Sequence, residues 1–344
     1  MKTLMTSIAA AVSAVMFASA TPVSVEWKPA ERMPASVARP FAGFLPDGRF
    51  IVAGGTDFVV GADGAREKKC FADVSVRATD GTWTKAGSLA HAAGEGVSCE
   101  TPRGVFCAGG YDGSNVYKDA YILTGAETVK LPDLPEPVMM GAAACDGDKV
   151  YVVNGKSVLE LPLSGGEWKK MADIPGPARS QMVAAVQNGD QKEKRLVIYG
   201  GYDVETRAPL NDGYAIVLSS GELKDLALLP EGVTTIGAAL LPSGHQHLLL
   251  VGGFGAAGWA ARAIDGSTET DPVKLGWQRK VLAYNCVTDA WCEYGEIAGD
   301  DVPRCGAAAG IRPGKTPEQY TLIIAGGEKA PALRTDAVSV ASFR

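Results

Sequence analysis

Residues 322–338 read LIIAGGEKAPALRTDAV. A single carboxylate, Glu328, follows the glycine pair Gly326-Gly327, and a single guanidinium, Arg334, stands just before the next apolar run. A carboxylate can move a proton between two oxygens of a bound molecule, and a guanidinium can grip an anion through two parallel hydrogen bonds. The same pair also makes an ordinary salt bridge across a short loop, and exposed ion pairs of that kind contribute little. Residue types alone leave both readings open. The placement of the loop by the rest of the chain decides between them.

The elements around it are repeated. Apolar strands ending in glycine recur as FIVAGG (50–55), VFCAGG (105–110), YVVNG (151–155), LVIYGG (196–201), LLLVGG (248–253) and LIIAGG (322–327). A strand of small residues precedes each, and a loop and an alternating strand follow, often with a tryptophan: Trp83, Trp168 or Trp291. Alternation bounded by Gly, Asp and Asn turns reads as antiparallel strands. Each unit is therefore a four-stranded sheet, a-b-c-d, with the glycine pair closing strand b. The pattern resembles the kelch repeat, and six units imply an all-β fold, a six-bladed β-propeller. The sixth unit lacks its tryptophan strand. Residues 23–28 (VSVEWK) are expected to supply it, closing the ring and covering an edge that would otherwise invite aggregation. Residues 21–344 are read as one domain.

In such a ring strand a lines the channel, and the b–c loops share a face with the approach to strand a. The b–c loop is long in blade 1 (56–71) and longest in blade 5 (254–278), the two neighbours of blade 6. Long loops of this kind form lids or binding walls. Counting back from each glycine pair places Arg39, Glu95, Met139, Arg179, Thr235 and Arg304 at the channel mouth. Arg39, Arg179 and Arg304, with Arg334, are expected to focus positive potential there and to bind a small carboxylate. Gln181, two residues past Arg179 and so on the same strand face, adds a hydrogen bond.

Composition bounds the partners. The chain is 46% hydrophobic and 21% charged with 42 glycines, as a turn-rich β protein requires. A formal net charge of −6 argues against nucleic acid, whose phosphates need a basic face. Residues 1–20 carry a positive start, a short apolar core and Ala18-Ser19-Ala20, which reads as a secretory signal peptide. No later run is long enough to cross a bilayer. Seven cysteines in an exported chain permit disulfides and leave one thiol over. Cys99 and Cys107 could pair, Cys286 and Cys292 less readily, and small buried thiols are the simpler reading. No Cys/His cluster has metal-ligand spacing.

Gly-Glu, a proline-containing loop and Leu-Arg-Thr-Asp-Ala-Val together resemble the bacterial sialic acid mutarotases (N-acetylneuraminate epimerases), exported six-bladed kelch propellers. Residues 140–154 and 175–218 resemble that family's first two blades, and 41–55 its penultimate one, so the order is that of a cyclically permuted branch. The resemblance implies an isomerase that interconverts the α and β anomers of N-acetylneuraminate or a related 2-keto sugar acid, with no cofactor, in the periplasm. It makes Glu328 the proton carrier and Arg334 the holder of the substrate carboxylate. Residues 255–277 have no counterpart in that pattern.

Rival chemistries have less behind them. A copper-radical oxidase on a similar propeller needs two histidines and two tyrosines on one metal. Of His91, His245 and His247, the last two fall in a hairpin on the far face. There is no Gly-x-Ser-x-Gly for a hydrolase. A glycosidase needs a second carboxylate facing Glu328, and Glu95 is two blades away. The remaining alternative is a non-catalytic kelch propeller that binds a glycan or protein.

Overall fold

The computed structural model describes residues 25–61, 64–125, 127–314 and 319–343. The expected signal peptide, 1–20, lies outside them. Six four-stranded antiparallel sheets follow one another around a ring. Blade 1 runs Phe41–Phe44, Phe50–Ala53, Asp73–Arg77 and Trp83–Ser88. Blades 2 to 5 begin with inner strands Val97–Thr101, Ala142–Cys145, Val183–Asn188 and Ala238–Ser243. Blade 6 takes Ala308–Pro313, Tyr320–Ala325 and Val338–Phe343 from the end of the chain, and its outer strand is Val25–Pro29. Val25 pairs with Phe343 and Pro29 with Ser339, so the expected closure holds.

Why these residues form these strands follows from where the blades touch. The middle strands are buried on both faces, as in Phe50–Ala53 and Gly213–Val217, because neighbouring blades stack face to face. Their sequences are accordingly continuous apolar runs. Outer strands such as Lys169–Asp173 keep polar residues toward solvent. The core is divided into six layers, one between each pair of blades. Ile51 and Val105 meet between blades 1 and 2, and Val52 and Ile323 between blades 1 and 6. Outer tryptophans tie blade to blade. Trp168 donates to Pro132 O at 2.9 Å, and Trp27, on the N-terminal strand, donates to Glu296 O at 2.8 Å.

The two long loops have structure of their own. In blade 1, Thr56–Val60 and Arg66–Cys70 form a hairpin. In blade 5 the insertion forms a helix, Ala256–Ala263, whose Trp259 packs with Phe254, Tyr202 and Trp277. Among the described residues no helix is long and apolar enough to cross a membrane.

The thiols do not pair. Cys99 sits opposite Phe106 and Ser98 opposite Cys107 on adjacent strands. Successive side chains point to opposite faces, so the Cys99 and Cys107 thiols lie on opposite sides of the sheet. Cys286 is buried and Cys292 exposed, and they are unbonded too.

Candidate functional site at the channel mouth

Glu328–Ala330 and Leu333–Arg334 form a small hairpin that sets Glu328 directly opposite Arg334. The glycine pair makes this possible. Gly327 has φ +94°, and a Cβ there would come within 2.9 Å of Ala307, so a side chain would push the loop off blade 6. The Glu328 backbone is fixed by two bonds with Cys305, Glu328 N to Cys305 O at 2.8 Å and Cys305 N to Glu328 O at 3.0 Å. Lys329 pairs with Asp301 at 3.1 Å, and the Thr335 hydroxyl donates to the same carboxylate. Both ends of the loop are therefore tethered.

Arg334 Nη1 lies 2.8 Å from Glu328 Oε1, and the two side chains are only 3% and 16% exposed. The charges attract, but the contact is out of line for a hydrogen bond, and Arg334 Nη1 and Nε are enclosed without an aligned acceptor. Arg334 lies over the Phe58 ring of the blade 1 hairpin at 4.7 Å. Burial holds its guanidinium below its ordinary value, while Glu328 pulls the other way. Beneath them Cys305 is buried, and desolvation pushes its thiol up to about 12, which leaves it inert as a nucleophile.

The mouth is built from one residue per blade in the left-handed region. These are Arg39, Glu95, Met140, Gln181, Gly237 and Gly306, with φ between +53° and +70°. Their backbones are joined around the ring. Arg39 N bonds to Gly306 O, Glu95 N to Arg39 O, Met140 N to Glu95 O, Gln181 N to Met140 O and Gly306 N to Gly237 O, all at 2.6–2.9 Å. Thr235 Oγ1 completes the circuit by donating to Gln181 O at 3.1 Å. Directly below begins a channel of about 280 Å³, its upper lining Pro40, Gly96, Gly141, Met182, Ala238 and Ala307. A second hollow of about 510 Å³ opens beside the blade 5 helix. Glu328 and Arg334 line neither hollow.

This ring corrects part of the expected mouth. Arg39, Glu95 and Gln181 face it, but Met139 is one residue early, and Arg179, Thr235 and Arg304 are two. A left-handed residue breaks the extended alternation, so residues two apart no longer share a face. Arg179 turns back into blade 4, where Nη1 and Nη2 donate to Asp212 at 2.8 and 3.0 Å. Arg304 is 2% exposed and donates to Ile324 O, Ala337 O and Ser339 Oγ. Burial brings its guanidinium down to about 10. Neither guanidinium is free to meet a ligand. Each braces the blade that it opens.

The fold adds residues that the sequence pattern did not single out. Lys68, on the returning arm of the blade 1 hairpin, pairs with the buried Glu95 and lies 5.8 Å from the Tyr111 ring. Phe58, on the outgoing arm, covers Arg334. Alternation along the hairpin could have flagged them only with the site already located. On the other side, Trp259 of the helix donates to Arg207 O at 2.8 Å, knitting the blade 5 insertion to blade 4.

Known proteins are similar to this chain in sequence. The N-acetylneuraminate epimerase of Pasteurella multocida is 27% identical over 242 residues, 63% of this chain and 60% of that protein. Those of Yersinia enterocolitica and Haemophilus influenzae are 28% and 27% identical, over 63% and 59% of this chain and 59% and 57% of theirs. The chain is a homologue of the N-acetylneuraminate epimerases. It spans about three fifths of the length of the curated relatives it matches. No family model matches it.

Proposed function

We propose that the protein is a mutarotase, an isomerase that interconverts the α and β anomers of N-acetylneuraminate or a closely related 2-keto sugar acid. The observation that carries this reading is the Glu328–Arg334 pair, 2.8 Å apart at the lip of the channel in a homologue of the epimerases. Anomers exchange when the hemiketal ring opens, the C2–C3 bond rotates and the ring recloses on the other face. Opening takes a proton from the anomeric hydroxyl and gives one to the ring oxygen. Glu328, tethered through Cys305 and reached from the mouth, is placed to do both in turn, an effect worth about 10²–10⁴-fold.

Arg334 fixes the carboxylate in place. No step of this chemistry calls for a metal or redox group. The blade order is read as a cyclic permutation of the relatives', which suits alignments that follow only part of each. Residues 1–20, read as a signal peptide, support an exported protein, and the periplasm suits the relatives.

The test is proton NMR of N-acetylneuraminate freshly released as the α anomer. Wild-type protein should speed the decay of the α H3 resonances toward the β form relative to buffer. Equal decay in both would reject N-acetylneuraminate as substrate and favour a propeller that only binds.

A further inference from the structure

Among the described residues Arg39, Lys68 and Arg334 bring positive charge to the mouth, and their partners differ. Arg334 is matched by Glu328, and Lys68 by Glu95. Arg39 has no carboxylate partner among the described residues. Among the described residues its side chain hydrogen-bonds to a neutral amide, with Nη2 donating to Gln181 Oε1 at 2.7 Å. Blades 1 and 4 are opposite each other in a six-bladed ring, so this bond crosses the mouth.

The path is made by two glycines. A Cβ on Gly306 would sit 3.0 Å from Arg39 Cγ and 3.5 Å from its Nε, and one on Gly237 would sit 3.6 Å from its Nη2. The other four ring positions carry side chains; the two over which Arg39 lies do not. Arg39 is partly exposed, whereas the Arg334 side chain is 3% exposed and roofed by Phe58.

We propose that Arg39, held across the channel mouth by the positioning residue Gln181, is the seat of the ligand's carboxylate, and that Arg334 serves Glu328 instead. A cation with a neutral partner can accept an anion without first breaking an ion pair. Arg334 would have to give up Glu328 and expose itself from under Phe58. A carboxylate on Arg39 lies at the floor of the mouth, with the catalytic carboxylate standing on blade 6 beside it. The Arg39–Gln181 strap also separates the ligand from the channel below, so the ligand enters and leaves by the loop face alone.

This assignment rests on the sugar-acid reading for its ligand but not for its anion, and calorimetry can separate the two. N-acetylneuraminate and its C1 methyl ester are titrated into wild type, Arg39→Met, Gln181→Leu and Arg334→Lys. Wild type should prefer the acid by about 10- to 100-fold, the worth of one charge-assisted hydrogen bond. Arg39→Met should lose that preference and Gln181→Leu should weaken it, while Arg334→Lys retains it. Preference lost in Arg334→Lys and kept in Arg39→Met overturns the assignment. If wild type binds neither sugar, the sugar-acid reading falls. Pyruvate, a bare 2-keto acid, then tests the seat: Arg39-dependent binding supports it, and absent or Arg39-independent binding refutes it.

Discussion

At the scale of single residues, backbone conformation decides which arginine reaches across the mouth and which braces its own blade. Arg39 and Arg179 belong to similar strand starts, yet one crosses the mouth and the other is fully enclosed against Asp212. Breaking a buried, bidentate pair costs about 3 kcal/mol. Arg179→Met should therefore lower urea stability by about that much while leaving the sugar affinity of the folded protein unchanged. Lost affinity at unchanged stability would restore Arg179 to the site. Glu100 offers a second residue-scale test. It faces the channel, and confinement there raises its carboxyl to about 7 from an ordinary 4.5, while a bond from Phe44 N works against the rise. The folded state thus binds this proton more tightly than the unfolded chain. Its contribution to stability is present below about pH 4.5 and is lost as pH rises through about 7. Because the side chain is open to the channel interior, the effect is modest. Glu100→Gln should flatten that part of the stability profile in urea melts from pH 4.5 to 8.

At the scale of elements, the strands and their closing glycines were legible because apolar runs and glycine pairs recur. Arg39 and Glu95 were found in the same way, by spacing; Gln181 was named for sharing a face with Arg179, and it reaches the mouth although that shared face does not hold. The reading slipped at Arg179, Thr235 and Arg304 because the inner hairpins differ in length and each strand start contains a left-handed residue. Neither feature has a composition marker: Arg, Glu, Met and Gln all occupy those left-handed positions, where glycine would be the usual signal. Strand register also settles the cysteines. With Cys99 and Cys107 on opposite sheet faces, all seven thiols should react with Ellman's reagent in denaturant without reductant. A count of five would mean that one bridge forms.

At the scale of the whole molecule, the ring is held by its closure. Five blades are continuous in sequence, and the sixth joins both ends of the described chain. Removing residues 25–29 would bare the edge of Val338–Phe343 and leave Trp27's place between blades empty. Such a truncation should unfold at a lower temperature and aggregate, as unpaired edges do, and equal stability would show that closure is not what holds the ring. The blade count and the closure were legible from the repeats and from the orphan strand at the other end. The roofing of Arg334 by Phe58 was not, because it joins residues of different blades that only the closed ring brings together.

The central claim is that Glu328 carries the proton. It is tested most directly by following the α-to-β decay of N-acetylneuraminate H3 resonances with wild type, Glu328→Gln and buffer. Glutamine keeps the size and hydrogen-bonding of the side chain but cannot shuttle a proton. The account predicts acceleration by wild type, and a fall of about 10²–10⁴-fold in the mutant's rate with sugar affinity retained. A mutant as fast as wild type would contradict it.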